Sequence, residues 1–362
     1  MDRAVRLWLS KSDAPPETCT ALTKKLNKSY TIYGTMLLLP PTALSGPEWT
    51  QLQPKIDNGS LAITNLYKEI CHHLKITHIA LNKPIPLHLE EETEPEENIL
   101  RSPTNFTPLH GDFGPVTASS PPTSSDFDRA YWVTAKQNGI YQTWSPRWTM
   151  FSRGNISEKA RLLTLPSVLQ AVEEGDCTAV DLYVGIGYFA FSYKKAGVKC
   201  VLGWDLNPWS CEGLRRGAGR NGWGVGVVGE GEEVGGVEEL VVFNESNVHA
   251  PRRVEGLRGK GLVPPVRHVN CGMLPSSRES LELAASVLHE SVVGWVHVHE
   301  NFLVEEIEGK AEETRREFEG VVKTKRGGNV KTEVEYINRL KSYAPGVVHC
   351  VIDIVVHPTD PT

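Results

Sequence analysis

A glycine-rich turn after an apolar run constrains the fold of this chain more than any other feature. Residues 180–184 are mostly apolar or β-branched, and Gly185 and Gly187 follow directly. Glycine lets the backbone turn tightly and approach a ligand where a Cβ atom would clash. A second apolar run at 200–204 ends next to Asp205, whose carboxylate can accept hydrogen bonds from ribose hydroxyls. The pattern predicts a Rossmann-type site for a nucleoside cofactor.

An acid in the first strand decides which cofactor we expect. Ala190 completes a G-x-G-x-x-A pattern, so a dinucleotide site has to be considered. Asp181, however, lies near the end of the strand, where its carboxylate would repel the pyrophosphate of NAD. The same carboxylate suits the cationic amino group and sulfonium of S-adenosylmethionine. We therefore predict S-adenosylmethionine as the cofactor.

Length and composition indicate an ordinary globular protein with two domains. The 362 residues are 40% hydrophobic and 23% charged, which allows a core of useful size. The net charge is −6, but six acids lie within residues 90–97, and the remaining acids equal the 38 bases in number. Outside that segment the chain is formally neutral, so charge neither supports nor excludes an RNA partner.

Three parts follow one another along the chain. Residues 1–89 predict a small α/β domain, with a helix ending near Asn27, a strand at 31–39, a helix at 61–74 and a strand at 77–81. Residues 90–128 are rich in Glu, Pro and Ser, which predicts a mostly disordered linker or a long loop. Residues 129–362 alternate between strand and helix patterns, which predicts an α/β domain with a mostly parallel sheet and helices on both faces. The glycine-rich stretch 213–261 predicts loose connections.

Several features bear on compartment and metal binding. No run approaches the roughly 18 apolar residues of a membrane span, and we find no secretory signal. The seven cysteines are widely spread and include no C-x-x-C pair, which favours a reducing, cytoplasmic location. His297 and His299 would share one face of a strand while Glu300 points away, so we expect no metal site.

A turn after another predicted strand carries a further candidate residue. Asn270 begins the turn after the strand at 266–269, and Pro275 closes that turn. Ser276 and Glu279 match a capping box, so a helix should begin there. Open α/β sheets bind ligands at the carboxyl ends of their strands, which makes this turn a candidate for substrate contact, although a purely structural turn is the alternative.

Cations precede the glycine turn. Arg153, Lys159 and Arg161 could contact a phosphate or the carboxylate of the cofactor's amino-acid end, or they could form a solvated basic face. Asn207, followed by Pro208, has the pattern of a helix N-cap, which is the simpler interpretation of that residue.

Taken together, these segments resemble the wybutosine-synthesising tRNA aminocarboxypropyltransferases, relatives of the tRNA guanine-N1 methyltransferases. The matching segments are WTMFSRGNISEKAR at 148–161, DLYVGIGYF at 181–189, DLNP at 205–208, RHVNCGMLPSS at 267–277 and GWVHVHEN at 294–301. The similarity runs from about residue 132 to the C-terminus and is fainter before it. Amino-group methyltransferases usually have a Pro-Pro-aromatic motif at the 270–275 turn, so its absence favours the first family.

The resemblance implies a class I methyltransferase-type Rossmann domain and a defined reaction. The α-amino-α-carboxypropyl group of S-adenosylmethionine would pass to 4-demethylwyosine, the tricyclic base beside the anticodon of phenylalanine tRNA. A monomer acting in the cytoplasm, without metal or membrane, is the expected form.

The resemblance also assigns the site residues. Arg153 and Asn270 would orient the transferred chain, Asp181 would hold its amino group, Asp205 the ribose and Asn247 the adenine. Further cofactor contacts are expected from Ser152, Lys159, Tyr183, Gly185, Gly187 and Asn207. The family usually has an acid directly before the adenine-site asparagine, whereas this chain has Ser246.

Three alternatives remain at this point. A tRNA guanine-N1 methyltransferase would share the fold and the partner but would transfer a methyl group. A tRNA-binding protein with a vestigial cofactor fold would lack activity, although the intact acids and glycines argue against decay. An NAD-dependent oxidoreductase is disfavoured by Asp181.

Overall fold

In a computed structural model the chain forms two compact units. The first comprises Met1–Ala135 and Thr143–Met150, and the second comprises Lys136–Gln142 and Phe151–Thr362. The structure describes residues 1–10, 12, 14–28, 30–81, 88–89, 96–98, 100, 103, 105–327 and 330–358, with only the backbone at 88–89, 96–97 and 153. The division falls within a hairpin at 133–144 and thus differs from the predicted boundaries at 89 and 128.

The first unit is a small α/β fold, as predicted. Its helices are α1 (Asp2–Leu9), α2 (Pro16–Asn27), α3 (Pro47–Asp57), α4 (Ile63–Leu74) and α5 (Ser124–Arg129). Its strands are β1 (Thr31–Tyr33), β2 (Met36–Leu39), β3 (His78–Leu81), β4 (His88–Leu89), β5 (Glu96–Glu97) and β6 (Thr107–His110). The main sheet has the order β1-β2-β3-β6, and only β2 and β3 pair in parallel.

Two predictions for this unit were wrong. Residues 31–39 form two antiparallel strands, because Gly34 takes a φ of +52° and turns the chain between them. Much of the described part of the predicted linker is ordered structure, since β6 pairs with β3 and Phe113 is buried. Thr123 and Asp126 cap α5 reciprocally. Composition misses such a segment because a few buried apolar residues and one strand pairing suffice to order it. The remainder of 90–104 lies outside the described residues.

The second unit begins within the hairpin of β7 (Val133–Gln137) and β8 (Ile140–Trp144). Its helices are α6 (Ile156–Leu162), α7 (Pro166–Glu173), α8 (Ala190–Ala196), α9 (Pro208–Asn221), α10 (Ala250–Gly259), α11 (Leu281–Val287) and α12 (Ile307–Arg326). Its sheet strands are β9 (Thr178–Asp181), β10 (Cys200–Trp204), β11 (Val225–Gly229), β12 (Leu240–Asn244), β13 (Val266–Cys271), β14 (Gly294–Leu303), β15 (Thr332–Ala344) and β16 (Val347–Val356).

These strands form one eight-stranded sheet in the order β11-β12-β10-β9-β13-β14-β16-β15. The strands from β11 to β14 in this order are parallel, whereas β16 is antiparallel to both neighbours. Every residue of β9, β10 and β13 is buried, as expected for parallel strands covered by helices on both faces. The mostly parallel α/β sheet is therefore confirmed.

The prediction of loose connections at 213–261 was wrong. This stretch contains the end of α9, the strands β11 and β12 and all of α10. Its apolar residues Leu214, Ala218, Val242 and Val254 are buried, and these contacts outweigh the low helix and strand propensity of the interspersed glycines. Within the described residues, no helix is long and apolar enough to cross a membrane.

Candidate functional site

The predicted residues converge at the carboxyl ends of three neighbouring parallel strands. Asp181 is the last residue of β9, Asp205 follows β10 directly, and Asn270 lies near the end of β13. Strands β10 and β13 flank β9 on its two sides, and Asp181 is opposite Asn270 in the register. Ligands bind at this edge of open α/β sheets, so the fold places the candidates where a site is expected.

The glycine turn after β9 is as tight as predicted. Gly185 and Gly187 have backbone φ values of +54° and +87°, which residues other than glycine rarely adopt. A Cβ atom at Gly185 would lie 2.6 Å from the ring of Tyr188, and one at Gly187 would lie 2.8 Å from the ring of Phe191. The rings of Tyr188 and Phe191 can therefore pack against this turn only because both residues lack a side chain.

Replacing Gly187 with alanine should destabilise the protein by roughly 1–3 kcal/mol, because it combines a disfavoured φ with a ring clash. Gly219, inside α9, provides the matched control, since no atom lies within 4 Å of its Cβ position. G219A should stabilise the helix by about 0.5–1 kcal/mol. Urea unfolding of both variants measures this difference, and equal stabilities would contradict the strain argument.

Asp205 braces the turn from the neighbouring strand. Its Oδ2 accepts a hydrogen bond from the Gly185 amide (3.0 Å), and its Oδ1 accepts one from the Asn207 amide (2.8 Å). Burial raises the pKa of Asp205 to about 6, although these two amides oppose the shift. Asn207 is the N-cap of α9, since its Oδ1 accepts a bond from the Trp209 amide (3.0 Å), as the simpler interpretation predicts. Ribose binding by Asp205 and cofactor contact by Asn207 stay predictions.

Asp181 is fully buried and only half satisfied. Its Oδ1 accepts hydrogen bonds from Asn270 Nδ2 (3.1 Å) and from the Tyr183 amide (3.3 Å). Its Oδ2 is buried and has no hydrogen bond of ordinary geometry among the described residues. Burial raises the pKa of Asp181 to about 7, against the opposing effect of Asn270 and of the Tyr183 and Ala190 amides. A buried acid with an unpartnered oxygen is suited to receive a ligand donor.

Asn247 and Tyr183 flank the same edge of the sheet. Asn247 Nδ2 donates to the Leu182 carbonyl oxygen (3.1 Å), which ties the segment after β12 to the glycine turn. The Tyr183 hydroxyl bonds to Ser280 Oγ (2.7 Å) at the start of α11. Ser246, which replaces the expected acid, accepts a bond from the Val248 amide and begins a short 3-10 helix. Adenine binding by Asn247 stays a prediction.

Lys159 is a buried cation surrounded by neutral groups. Its Nζ donates to Gln137 Oε1 (2.8 Å), Gln142 Oε1 (3.1 Å) and the Ser152 carbonyl oxygen (3.3 Å). It lies 5.4 Å from the centre of the Tyr188 ring. Burial lowers the pKa of Lys159 to about 8. None of its hydrogen-bond partners among the described residues is an acid, so its three N–H groups bind neutral oxygens and no described carboxylate neutralises the charge.

Hydrogen bonds connect Lys159 to the glycine turn. The Ser152 amide donates to the Tyr188 hydroxyl (3.1 Å), and Tyr188 covers Gly185. Gln142 Nε2 donates to the Gly187 carbonyl oxygen (3.3 Å) while its Oε1 accepts from Lys159. Tyr188 follows the glycine motif directly, yet its role was not predicted, because nothing in the sequence shows that its ring folds back over Gly185.

Arg161 was grouped with the possible ligand-binding cations, and this was wrong. Its guanidinium bonds to Glu158 Oε1 (2.6 Å) and to Asp353 Oδ2 (2.5 Å). Asp353 Oδ1 is also hydrogen-bonded to His297 Nδ1 (2.7 Å). The other ring nitrogen of His297, Nε2, is hydrogen-bonded to His268 Nδ1 (3.1 Å). Arg161 therefore belongs to a buried polar network between α6 and the sheet. The side chain of Arg153 lies outside the described residues, so its orienting role stays a prediction.

Replacing Arg161 with methionine should destabilise the protein by about 3–5 kcal/mol, because two buried carboxylates would lose their cation. The control is R316M, since Arg316 forms an exposed pair with Glu312 on α12 and should contribute below about 1 kcal/mol. Denaturant unfolding measures both values. A loss under about 1 kcal/mol for R161M would argue against a structural role for this network.

The hydrogen bonds that fix the residues after the turn at 270–275 differ from the predicted ones. The Ser276–Glu279 capping box does not form: Ser276 Oγ donates to Glu300 Oε1 (2.8 Å), and the Ser277 amide donates to the same oxygen (2.9 Å). Ser277 Oγ donates to the carbonyl oxygens of Cys271 (2.6 Å) and Met273 (2.7 Å). Glu300 is buried, which raises its pKa. Ser276 Oγ thus donates to Glu300 and accepts from the Arg278 amide (3.3 Å), so its acceptor is used one residue before the position that a capping box requires.

No group of three or more His, Cys, Asp or Glu residues among the described positions has the geometry to hold a metal ion. His297 bonds to His268 and Asp353, and His299 Nδ1 meets His349 Nε2 at 3.0 Å.

The fold and this site together define an α/β protein of the class I methyltransferase type. A scan against models of protein families finds no match. Schizosaccharomyces pombe tRNA wybutosine-synthesizing protein 2 is 39% identical over 328 residues, which cover 90% of this chain and 72% of that protein. The Saccharomyces cerevisiae protein of the same name is 33% identical over 305 residues, which cover 78% of this chain and 60% of that protein. The chain belongs to the tRNA wybutosine-synthesizing protein 2 family.

Solved structures agree on the fold. Pyrococcus horikoshii TYW2 in complex with MeSAdo has a TM-score of 0.62 and 18% identity, covering 99% of this chain and 100% of that chain. Methanocaldococcus jannaschii TYW2 in complex with AdoMet has a TM-score of 0.54 and 15% identity, covering 91% and 100%. Pyrococcus abyssi Trm5b has a TM-score of 0.55 and 17% identity, covering 95% and 78%. The predicted methyltransferase-type Rossmann fold is confirmed.

Proposed function

We propose that this chain is a transferase that moves the α-amino-α-carboxypropyl group of S-adenosylmethionine to 4-demethylwyosine in tRNA. Family membership supports the reaction, because the relatives are named for wybutosine synthesis. S-adenosylmethionine is the group donor, in keeping with the AdoMet and MeSAdo complexes of structures that share this fold.

One observation carries the proposal: the site holds a buried cation without an acid and a buried acid without a cation. Lys159 bonds to neutral acceptors, and Asp181 keeps one oxygen unpartnered among the described residues. An amino acid carries a carboxylate and an ammonium group on the same carbon. Lys159 would exchange one of its neutral acceptors for the carboxylate, and Asp181 would bind the ammonium, so the methionine portion of the donor matches both charges.

The neighbouring residues suit the nucleoside portion. Asp205 faces the turn from β10, and its oxygens can each accept a further hydrogen bond from a ribose hydroxyl. Asn247, Tyr183 and Asn207 surround the same strand ends and would complete the adenosine site. Gly185 and Gly187 would contribute backbone contacts to the donor, as the sequence predicts.

The chemistry is a displacement at carbon that needs positioning more than new catalytic groups. A sulfonium has three electrophilic carbons, and the carbon in line with the nucleophile reacts. Asn270, held against Asp181, would direct the amino-acid chain and not the methyl group toward the base, together with Arg153. The C–S bond breaks to leave methylthioadenosine, a bond forms to the base, and the base loses one proton.

The partner and its setting belong to the same proposal. We infer that the RNA is phenylalanine tRNA and that the protein binds its anticodon loop. We also infer that the chain acts as a monomer without metal. All seven cysteines are free thiols, which supports a reducing compartment such as the cytoplasm.

Donor labelling tests the reaction directly. Purified protein would be incubated with precursor tRNA and with S-adenosylmethionine labelled either in the methyl or in the carboxyl carbon. Carboxyl label in the RNA together with free methylthioadenosine is the expected result. Methyl label in the RNA would instead indicate a tRNA guanine-N1 methyltransferase, whose fold Trm5b shares. No label from either donor, together with no donor binding in calorimetry, would favour a vestigial cofactor site.

A further inference from the structure

One face of the eight-stranded sheet carries polar side chains that lie side by side on neighbouring strands. Asp181, Asn270, His297 and Asp353 are opposite one another across β9, β13, β14 and β16. Directly opposed residues in a sheet share a face, as do residues two positions apart along one strand. His299 and Asn301 therefore continue the row along β14 on the same face, beyond the last residue of β13.

A second row of polar side chains crosses β14, β16 and β15 next to the first. Asn301 of β14 is opposite His349 of β16, and His349 is opposite Lys341 of β15. Asn301, His349 and Lys341 thus lie on the face that bears Asp181 and Asn270. His299, two residues before Asn301, joins the two rows.

Four buried polar atoms in this region have no hydrogen-bond partner among the described residues. They are Asn301 Nδ2, Asn301 Oδ1, His299 Nε2 and His349 Nδ1. A buried side-chain amide can donate two hydrogen bonds and accept two, so an amide that makes none is rare in a folded protein. Their concentration in one place points to a ligand that supplies the missing partners.

The two imidazoles determine what such a ligand has to offer. Burial lowers the pKa of His299 and of His349 to about 3, so both rings are neutral at pH 7. His299 Nδ1 and His349 Nε2 lie 3.0 Å apart and share one proton. Whichever nitrogen carries it, the pair keeps one free N–H and one free lone pair. Together with the Asn301 amide, this set is uncharged and contains both donors and acceptors.

The region borders the donor site on two sides. The backbone N–H of Asn301 donates to the Pro275 carbonyl oxygen (3.2 Å), which joins β14 to the turn after Asn270. The ring of Phe189, two residues after Gly187, lies 5.1 Å from the ring of His299. Polar groups that adjoin both the glycine turn and the Asn270 turn are next to where a transferred group would leave the donor.

We propose that Asn301, His299 and His349 form the site for the acceptor base, with Lys341 placed to bind a phosphate of the same nucleotide. This inference rests on the proposed function. A heterocyclic base presents neutral donors and acceptors in one plane, and Asn301 and the histidine pair match these. Lys341 is exposed and makes no ion pair with a described residue, as suits a phosphate contact.

The test uses Asn301→Leu and Asn301→Ala, with an anticodon stem-loop that carries either the tricyclic base or guanosine at the same position. Wild type should bind the tricyclic RNA more tightly, and both variants should lose at least tenfold affinity for it while binding S-adenosylmethionine within twofold of wild type. The melting temperature of the RNA-free variants should be unchanged or higher, because an unpartnered amide does not stabilise the fold. A fall of several degrees in both would show a structural residue and overturn the inference.

The phosphate contact has its own control. K341Q should reduce the slope of log affinity against log salt by about 0.7 for one lost phosphate contact to single-stranded RNA. K331Q removes an exposed lysine that directly precedes β15 and pairs with Glu333, and it should leave that slope unchanged. Equal slopes for both variants would exclude Lys341 from the site.

Transfer assays on the same samples separate this inference from the proposed function. Wild-type transfer together with unchanged binding and transfer in N301L would overturn the base site alone. Absence of transfer by wild type, with selective loss of RNA binding in N301L, would overturn the proposed reaction and support the base site.

Discussion

Replacing Lys159 with methionine is expected to weaken S-adenosylmethionine binding by about 10- to 100-fold, as measured by calorimetry. A hydrogen bond to a charged group contributes about 1.5–3 kcal/mol, and about 1.4 kcal/mol corresponds to a factor of ten. Methionine keeps most of the apolar contacts of the lysine stem and removes the charge together with the three hydrogen bonds that Nζ donates. K199M is the matched control, since Lys199 is exposed and pairs with Asp176. Equal affinities for K159M and wild type would remove Lys159 from the site.

The pH dependence gives a second measurement of the same role. The pKa of Lys159 lies at about 8 in the cofactor-free protein, below its ordinary value of 10.5, because burial disfavours the charge. Affinity for a carboxylate should therefore fall as pH rises above about 8 and the ammonium loses its proton. For the cofactor-free protein the sign is opposite: stability should increase between about pH 8 and 10.5, where only the unfolded chain keeps this proton. K159M should lack both effects.

Replacing Asp181 with asparagine is expected to reduce transfer by at least about 100-fold while leaving the fold intact. The new side chain has the same shape and can still accept from Asn270, but it offers an amide and not a carboxylate to the donor's ammonium group. Loss of a charge-assisted bond and a repulsive contact between donors together account for this magnitude. The measurement is kcat/KM with carboxyl-labelled donor, and D176N, an exposed acid, is the control.

Stability and pH distinguish this variant from one that is merely damaged. The pKa of Asp181 is raised from 3.8 to about 7, so folding favours its protonated form and the protein loses stability as pH rises from about 4 to 7. D181N removes that loss and should melt at a higher temperature than wild type at pH 7.5. Donor binding by wild type should strengthen as pH rises through 7, which with Lys159 predicts an affinity maximum between about pH 7 and 8. A lower melting temperature for D181N would show that the carboxylate stabilises the fold.

The strongest sequence predictions concern features fixed by neighbouring residues. The glycine turn needs no information from elsewhere, because positive φ at Gly185 and Gly187 restricts both positions to glycine in any chain that turns here. Asn207 caps α9 through an amide two residues away, and β10 ends where the apolar run ends. Asp181 and Asp205 were placed correctly because parallel strands bring their carboxyl ends to one edge.

Predictions failed where the deciding partner is distant in sequence. Ser276 and Glu279 carry a capping pattern, yet Ser276 Oγ donates to the distant Glu300. The second half of the predicted linker is ordered because its strand β6 pairs with β3. Neither partner can be identified from the local composition.

The sequence by itself determined the glycine turn, the acids at the strand ends and the family, since each depends on a short segment or on its similarity to known segments. Only the tertiary structure decided which cation is available to a ligand. Lys159 and Arg161 lie two residues apart on α6, and both are cations in a basic segment. Arg161 reaches Asp353, whereas Lys159 points toward glutamine side chains and a carbonyl. The free energy of a buried charge depends on its partners, and those partners are brought to it only by the fold.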